Sequence, residues 1–304
     1  MTAAVVERRH LAIGPCTISY LAANQAPGRR LAVFLHAFPL GAEMWRPQLQ
    51  ALPPDWWAVA PDFRGFGGST PDPPEASREA ATLDDYAGDV VALLDALGAA
   101  RAAVCGCSMG GYAGFALLRR APGRIDGLLL ADTRATADSE TARVSRAAML
   151  DLLDRRGPGA VAADMRAKLV GPTTHAARPA VLGAVDALMR DATPAGVGFA
   201  VSRMMNRPDS SGALASFSGP VCVVVGEEDA LTPPPEAAAM AALVPAAALV
   251  LIPGAGHLSN LESPAAFNAA MLDWLRAVDA AAAGQANPES PVPNPQSPIP
   301  NPER

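Results

Sequence analysis

Gly106-Cys107-Ser108-Met109-Gly110 sets a serine between two glycines at G-x-S-x-G spacing. A serine hydroxyl is a weak nucleophile until a general base stands within hydrogen-bond reach. His257, in the glycine-rich stretch Gly254-Ala255-Gly256-His257, is the candidate base. Asp229 is the candidate acid that would fix the imidazole tautomer and stabilise the imidazolium. Asp132 is the rival for that role, because it also closes a strand-like run. Such a set could carry out acyl transfer: Ser108 attacks a carbonyl, His257 moves the proton, and water releases the acyl group. The same letters alone would also describe a glycine-rich turn with an idle serine. The surrounding elements decide between the two.

The apolar run Ala102-Ala103-Val104-Cys105 leads into the serine, and the small-residue, helix-compatible segment Gly111 to Leu118 leads out. Strand, sharp turn and helix form the context of a nucleophile elbow, in which small neighbours let the backbone pass and the helix N-terminus faces the space beside the serine. Asp229 follows the buried-strand signature Val221 to Gly226, and His257 follows Ala248 to Ile252. All three residues therefore close strands and can gather at the carboxyl edge of one parallel sheet. Leu31 to Leu35, Trp57 to Ala60 and Gly127 to Leu130 are further strand-like runs, with a helical stretch from Leu83 to Leu97 among them. Continuous apolar strands separated by helices imply a mostly parallel sheet covered on both faces. From about 133 to 206 strand signals vanish, and Arg-, Ala- and Met-rich helical segments are broken at Gly157-Pro158, Gly171-Pro172 and Thr193-Pro194. The sheet pattern resumes at Val221 and closes with a helix from Pro264 to about Ala282. Residues 284–304 repeat Pro, Asn and Ser, lack apolar mass, and are expected to be disordered.

Serine, acid, histidine is the chain order of an α/β-hydrolase. The chain resembles that superfamily, in its branch of esterases, 3-oxoadipate enol-lactonases and cofactor-free haloperoxidases, from about residue 10 to 278. The resemblance is carried by Phe34-Leu35-His36-Ala37-Phe38-Pro39, by Pro61 through Ser69, by the elbow, by Val225 through Asp229 with Leu231-Thr232-Pro233, and by Gly254 through Pro264. It departs at Ala37, where the family motif usually has glycine, so the backbone there has less freedom. The resemblance implies an α/β-hydrolase fold: a mostly parallel eight-stranded sheet flanked by helices. The core would comprise 1–132 and 207–283, with a helical cap over 133–206 inserted after the sixth strand. It assigns the oxyanion-hole N–H groups to Phe38 and Met109, gives His36 a bracing role in its loop, and implies neither metal nor organic cofactor. Dehalogenase and epoxide-hydrolase relatives carry aspartate at the nucleophile position, so Ser108 excludes their usual mechanism.

Composition fits an enzyme acting on small molecules. Half of the 304 residues are hydrophobic, and the net charge of -6 opposes a nucleic-acid or anionic-membrane partner. Met1 to Gly14 lacks the apolar run of a secretory signal, and no stretch is long enough to span a bilayer, so a cytoplasmic location is expected. The sequence leaves the oligomeric state open. The four cysteines are read as reduced packing residues, since Cys105 and Cys107 have no second Cys/His pair at zinc-like spacing. His10 and His175 are read as surface or structural, and Glu227 and Glu228 as exposed. Trp45, Trp56 and Trp57 are read as packing near the loops of the first domain, with Trp45 also a candidate for the substrate pocket beside the cap residues Met149, Leu150, Phe199, Met204 and Met205. Arg134, Arg203 and Arg207 are read as a solvated charged face, with binding of a substrate carboxylate as the alternative. The resulting expectation is a serine hydrolase that cleaves a carboxylic ester of small to medium acyl chain. Enol-lactone hydrolysis and perhydrolysis by the same three residues are the alternatives. A non-catalytic small-molecule binder is the rival from another class, although a binder has no need of all three.

Overall fold

The apolar runs become the middle of one sheet in the computed structural model, which describes residues 4–14, 16–26, 28–73 and 75–286. Its strands are β1 (Val6–Ile13), β2 (Cys16–Ala23), β3 (Arg30–Leu35), β4 (Trp56–Pro61), β5 (Ala102–Cys107), β6 (Ile125–Ala131), β7 (Val221–Gly226) and β8 (Ala248–Ile252). They lie in the order β1-β2-β4-β3-β5-β6-β7-β8. The first two pairings are antiparallel, and those from β4 onward are parallel. Strands β4, β5 and β7 are buried along their whole length, as a sheet covered on both faces requires. The hairpin of β1 and β2 escapes the sequence pattern because β1 is a half-exposed edge carrying Glu7, Arg8 and Arg9.

The helices are α1 (Arg46–Gln50), α2 (Leu83–Ala96), α3 (Met109–Arg120), α4 (Glu140–Arg156), α5 (Pro158–Leu169), α6 (Pro172–Ala177), α7 (Pro179–Leu188), α8 (Pro194–Met205), α9 (Ser211–Ala215), α10 (Pro234–Ala241), α11 (Ser259–Glu262) and α12 (Pro264–Ala286). Helices α4 to α8 all fall between β6 and β7. Four of them begin on a proline, where the preset φ suits the first turn and the missing N–H has no partner to lose. Gly157, at φ +76, ends α4 and turns the chain into α5. The last helix runs through Gly284 to Ala286, so the boundary expected at 284 falls inside a helix. Its alanine-rich final turns have the highest helix propensity and carry the glycine with them. The rest of the expected tail, 287–304, lies outside the described residues. No helix among the described residues is long and apolar enough to cross a membrane.

Two contacts seat α8 on the sheet domain. Arg203 is 1 % exposed, grips Asp72 through Nη1 at 2.9 Å and Nη2 at 2.6 Å, reaches Asp85 at 2.9 Å, and lies over the Tyr86 ring at 4.5 Å. Neither expectation for Arg203, solvated face or substrate ligand, survives this burial. At the start of α8, Thr193 donates its amide and hydroxyl to the Gly65 carbonyl, at 3.2 and 3.0 Å. Gly65 sits at φ +79, and a Cβ on Gly196 would fall 2.3 Å from the Gly65 oxygen. Backbone therefore meets backbone here, and nothing can yield to a side chain. Gly196→Ala is expected to lower unfolding stability by about 1–3 kcal/mol in urea melts. Gly183→Ala, on an open stretch of α7, should instead raise it by about 0.5–1 kcal/mol. Equal effects at the two positions would remove the close approach as the cause.

Candidate active site

The turn from β5 to α3 holds Ser108 at φ 53 and ψ -113, a conformation that costs a non-glycine residue about 1–3 kcal/mol. The flanking glycines permit it. A Cβ on Gly106 would lie 2.4 Å from the Gly110 oxygen, and one on Gly110 would lie 2.0 Å from the Leu35 oxygen. The turn is fixed from outside as well. The Ser108 amide donates to Ala131 O at 2.9 Å, and its carbonyl accepts Thr133 Oγ1 at 2.9 Å. These bonds tie the elbow to the end of β6 and leave the hydroxyl free to point elsewhere.

It points at His257. Ser108 Oγ lies 2.8 Å from His257 Nε2, and His257 Nδ1 lies 2.8 Å from Asp229 Oδ2. The Asp229 carboxylate is held in turn: Oδ1 accepts the Leu231 and Thr232 amides at 2.8 and 2.9 Å, and Oδ2 accepts Thr232 Oγ1 at 2.6 Å. All three residues are buried. Burial works against a charged His257 ring, but the charge and hydrogen bond of Asp229 outweigh it, with Asp132 adding in the same direction, so its pKa lies above the usual 6.5. Burial likewise works against the Asp229 charge. The imidazole and the Thr232 donors more than offset this and keep the carboxyl below its ordinary range.

Asp132 takes another place. Its Oδ1 accepts the Gly226 amide at 2.9 Å, and its Oδ2 accepts Ser259 Oγ at 2.5 Å and the Ser259 amide at 3.3 Å. It thus joins the ends of β6 and β7 to the loop that carries His257 and makes no contact with the imidazole nitrogens. Burial, with the nearby Asp229 charge, pushes its pKa up to about 8. Glu262 braces the same loop from the other side, accepting the Gly256 amide at 2.8 Å and the Gly171 amide at 2.8 Å. His36 is buried, donates Nδ1–H to Ala37 O at 2.9 Å and accepts the Phe63 amide on Nε2 at 2.9 Å. Its ring spans two loops, and burial lowers its pKa. The Ala37 methyl fits without exposure. Among the described residues, neither the Phe38 nor the Met109 amide donates to another group.

The serine and histidine open into a cavity of about 330 Å³. Met149 and Met204 line it. Trp45 does not: it is buried between Phe34 and Phe267, with ring centroids 5.3 and 5.9 Å away. Phe199 turns the other way, to stand 5.2 Å from the Arg203 guanidinium, and Met205 and Leu150 are not among the lining residues. Met205 lies about 100° around α8 from Met204, and of the two only Met204 lines the cavity. Ala142, Ser145, Arg146 and Met149 form an i, i+3, i+4, i+7 stripe along α4, and this stripe is a wall of the cavity. The spacing was visible in the sequence; its mixed polarity hid it. Arg134 lines the cavity and pairs with Glu236 at 2.8 Å. Arg207 is buried against Asp138 at 2.6 Å and over Tyr112 at 4.0 Å, so it too belongs to no solvated face. Glu228 is half-buried rather than exposed, because it accepts the Thr173 amide at 2.9 Å at the start of α6. Glu227, His10 and His175 are exposed.

The family described as alpha/beta hydrolase fold matches residues 32–264. RutD of Caulobacter sp. strain K31, provisionally named a carbamate hydrolase, is 32 % identical over 76 % of this chain and 85 % of its own length. 3-oxoadipate enol-lactonase 2 of Acinetobacter baylyi is 28 % identical over 84 % of this chain and 91 % of its own. A thermophilic esterase from Thermogutta terrifontis, solved with malate bound, superposes with a TM-score of 0.81 at 34 % identity, covering 90 % of this chain and 99 % of that one.

The histidine geometry sets a pH dependence. A base works only when neutral, and this ring binds its proton more tightly than a free imidazole. The acid limb of kcat/KM should therefore have its midpoint above 6.5. Asp229→Asn removes the raising charge, so the limb should move to lower pH while kcat falls by about 10⁴. An unmoved limb in the Asn variant would show that another group governs it.

Proposed function

The chain belongs to the α/β-hydrolase family, and from that premise we propose that it is a serine hydrolase cleaving a carboxylic ester of small to medium acyl chain. One observation carries the reading: Ser108, His257 and Asp229 stand in continuous hydrogen-bond contact, at 2.8 Å each, and the serine and histidine of the set line a cavity. A binding protein gains nothing from a serine held in strained backbone against a raised-pKa histidine.

In this mechanism Ser108 Oγ attacks the ester carbonyl as His257 Nε2 takes its proton. Asp229 holds Nδ1–H and stabilises the imidazolium. The oxyanion of the tetrahedral intermediate is received by the Phe38 and Met109 amides. Both are uncommitted, and the second belongs to the first residue of α3, where the helix dipole favours negative charge. His257 then protonates the departing alcohol, and water, activated by the same nitrogen, attacks the acyl-serine. The hydroxyl proton returns to Ser108 and the acid is released. A cavity of about 330 Å³ is at the small end for ligand sites, which favours short acyl groups. Met149, Met165 and Met204 on its wall supply polarisable, adaptable contacts. A lactone passes through the same steps with its alcohol still tethered. The relative named as an enol-lactonase makes lactones the second substrate class to assay.

A fluorophosphonate probe is expected to label the protein once. Ser108→Ala should abolish that label and reduce kcat on short p-nitrophenyl esters by about 10⁶. Labelling of the alanine variant at full stoichiometry would falsify the assignment.

A further inference from the structure

We propose that Arg146 makes this cavity selective for substrates bearing a carboxylate remote from the reacting carbonyl, such as the mono-ester of a short dicarboxylic acid. The inference rests on the ester-hydrolase reading and adds the charge of the substrate to it.

The argument is one of charge and unfilled donors. Asp138, on the connection leading into α4, has a side chain that is 2 % exposed and lies between two guanidinium groups. Arg146 Nε donates to its Oδ2, and Arg207 Nη1 donates to its Oδ1 at 2.6 Å. One carboxylate thus faces two cations, and the cluster carries an excess positive charge in a largely water-excluded place. Among the described residues, neither cation finds a second carboxylate. Arg207 gives its remaining contact to the Met204 carbonyl at 2.9 Å, and its Nε and Nη2 are buried without partners over the Tyr112 ring at 4.0 Å. Arg146 Nη1 reaches only the Met204 sulfur, at 3.5 Å, a weak acceptor. If Asp138 needed only an anchor, Arg207 alone would serve.

Arg146 is the member of this cluster that reaches the cavity. It lines the same wall as Asp138, Tyr112, Ser145 and Met204, and shares the space with Ser108 and His257. The other cations on that wall are already engaged. Arg134 donates to Leu231 O and faces Glu236 at 2.8 Å, an ion pair without hydrogen-bond geometry, and Lys168 is paired with Asp164 at 2.7 Å. A planar guanidinium with a free edge matches a carboxylate in geometry as well as charge. Asp138 acts here as a positioning residue, holding Nε so that the free edge faces inward. A substrate carboxylate would neutralise the excess charge and orient the ester toward Ser108, which lines the same cavity.

The test uses two esters that differ only in charge: 4-nitrophenyl hydrogen glutarate and its methyl-capped, neutral counterpart. The wild-type protein is expected to prefer the anionic ester by about 10- to 100-fold in kcat/KM, the worth of one charge-assisted hydrogen-bonded contact. Arg146→Gln should erase most of that preference by raising KM for the anionic ester far more than for the neutral one, and Arg146→Lys should restore part of it. Equal rates on the two esters in the wild type, or equal losses on both in Arg146→Gln, overturn the inference. A second readout does not need turnover. Glutarate should raise the melting temperature of the Ser108→Ala protein, and the added Arg146→Gln change should remove that rise. Cleavage of both esters without discrimination, and no glutarate effect, leaves an ester hydrolase without an anion site. Arg146-dependent glutarate binding without cleavage of either ester leaves the anion site and sinks the hydrolase reading.

Discussion

The close approach of the α3 N-terminus to β3 is the constraint on which the rest of the structure depends. Gly110 lies so near the Leu35 carbonyl that a methyl group would stand 2.0 Å from its oxygen. That contact forces the chain to reverse within one residue, and the residue is Ser108 at positive φ. The strain is offset by bonds that the turn makes to β6, through the Ser108 amide and carbonyl. Because the parallel register of β3, β5, β6 and β7 sets the relative heights of the strand ends, the loops after β7 and β8 arrive beside the serine. A sheet with one strand slipped would present the same residues on the wrong face.

Several buried carboxylates surround the histidine, and their different partners give them different tasks. Asp229 accepts the imidazole and Thr232 and is held ionised. Asp132 accepts backbone and serine donors from two loops, and its pKa of about 8 follows from burial first and from the Asp229 charge second. Glu262 links the histidine loop to Gly171, just after α5. Two full negative charges so close in an apolar setting would repel strongly. The shifted Asp132 lessens that repulsion, since a group titrating near neutrality carries only part of a charge. The field on His257 is therefore dominated by the carboxylate that touches it.

The inserted helices are fastened by charge rather than by apolar area alone. Arg203 and its aspartates form a buried lock between α8 and the loop and helix below. Removing one partner of such a pair leaves an uncompensated charge, at about 3–5 kcal/mol. Asp138 forms a second ionic centre at the base of α4, where Arg207 and Arg146 meet. The first lock sets one guanidinium against two aspartates and does not line the cavity, whereas the second carries an excess of positive charge and borders it. This asymmetry links the packing of the helical layer to the proposed choice of substrate.

The sequence by itself determined the local features. The G-x-S-x-G context, the apolar runs of β3 to β8, and the glycine- and proline-marked breaks between α4 and α8 each depend on residues within one element, where backbone sterics and periodicity act. Chain order then placed Ser108, Asp229 and His257 at strand ends. Only the tertiary structure shows that Asp229, and not Asp132, lies 2.8 Å from His257 Nδ1, because both carboxylates follow a strand. It also decided that Trp45 is core, that Met204 and not Met205 faces the cavity, and that Arg203 and Arg207 are buried. An arginine in a helical segment looks the same whether water or a distant aspartate receives it. Its partners stand 131 and 69 residues away, and only the folded chain brings them within reach.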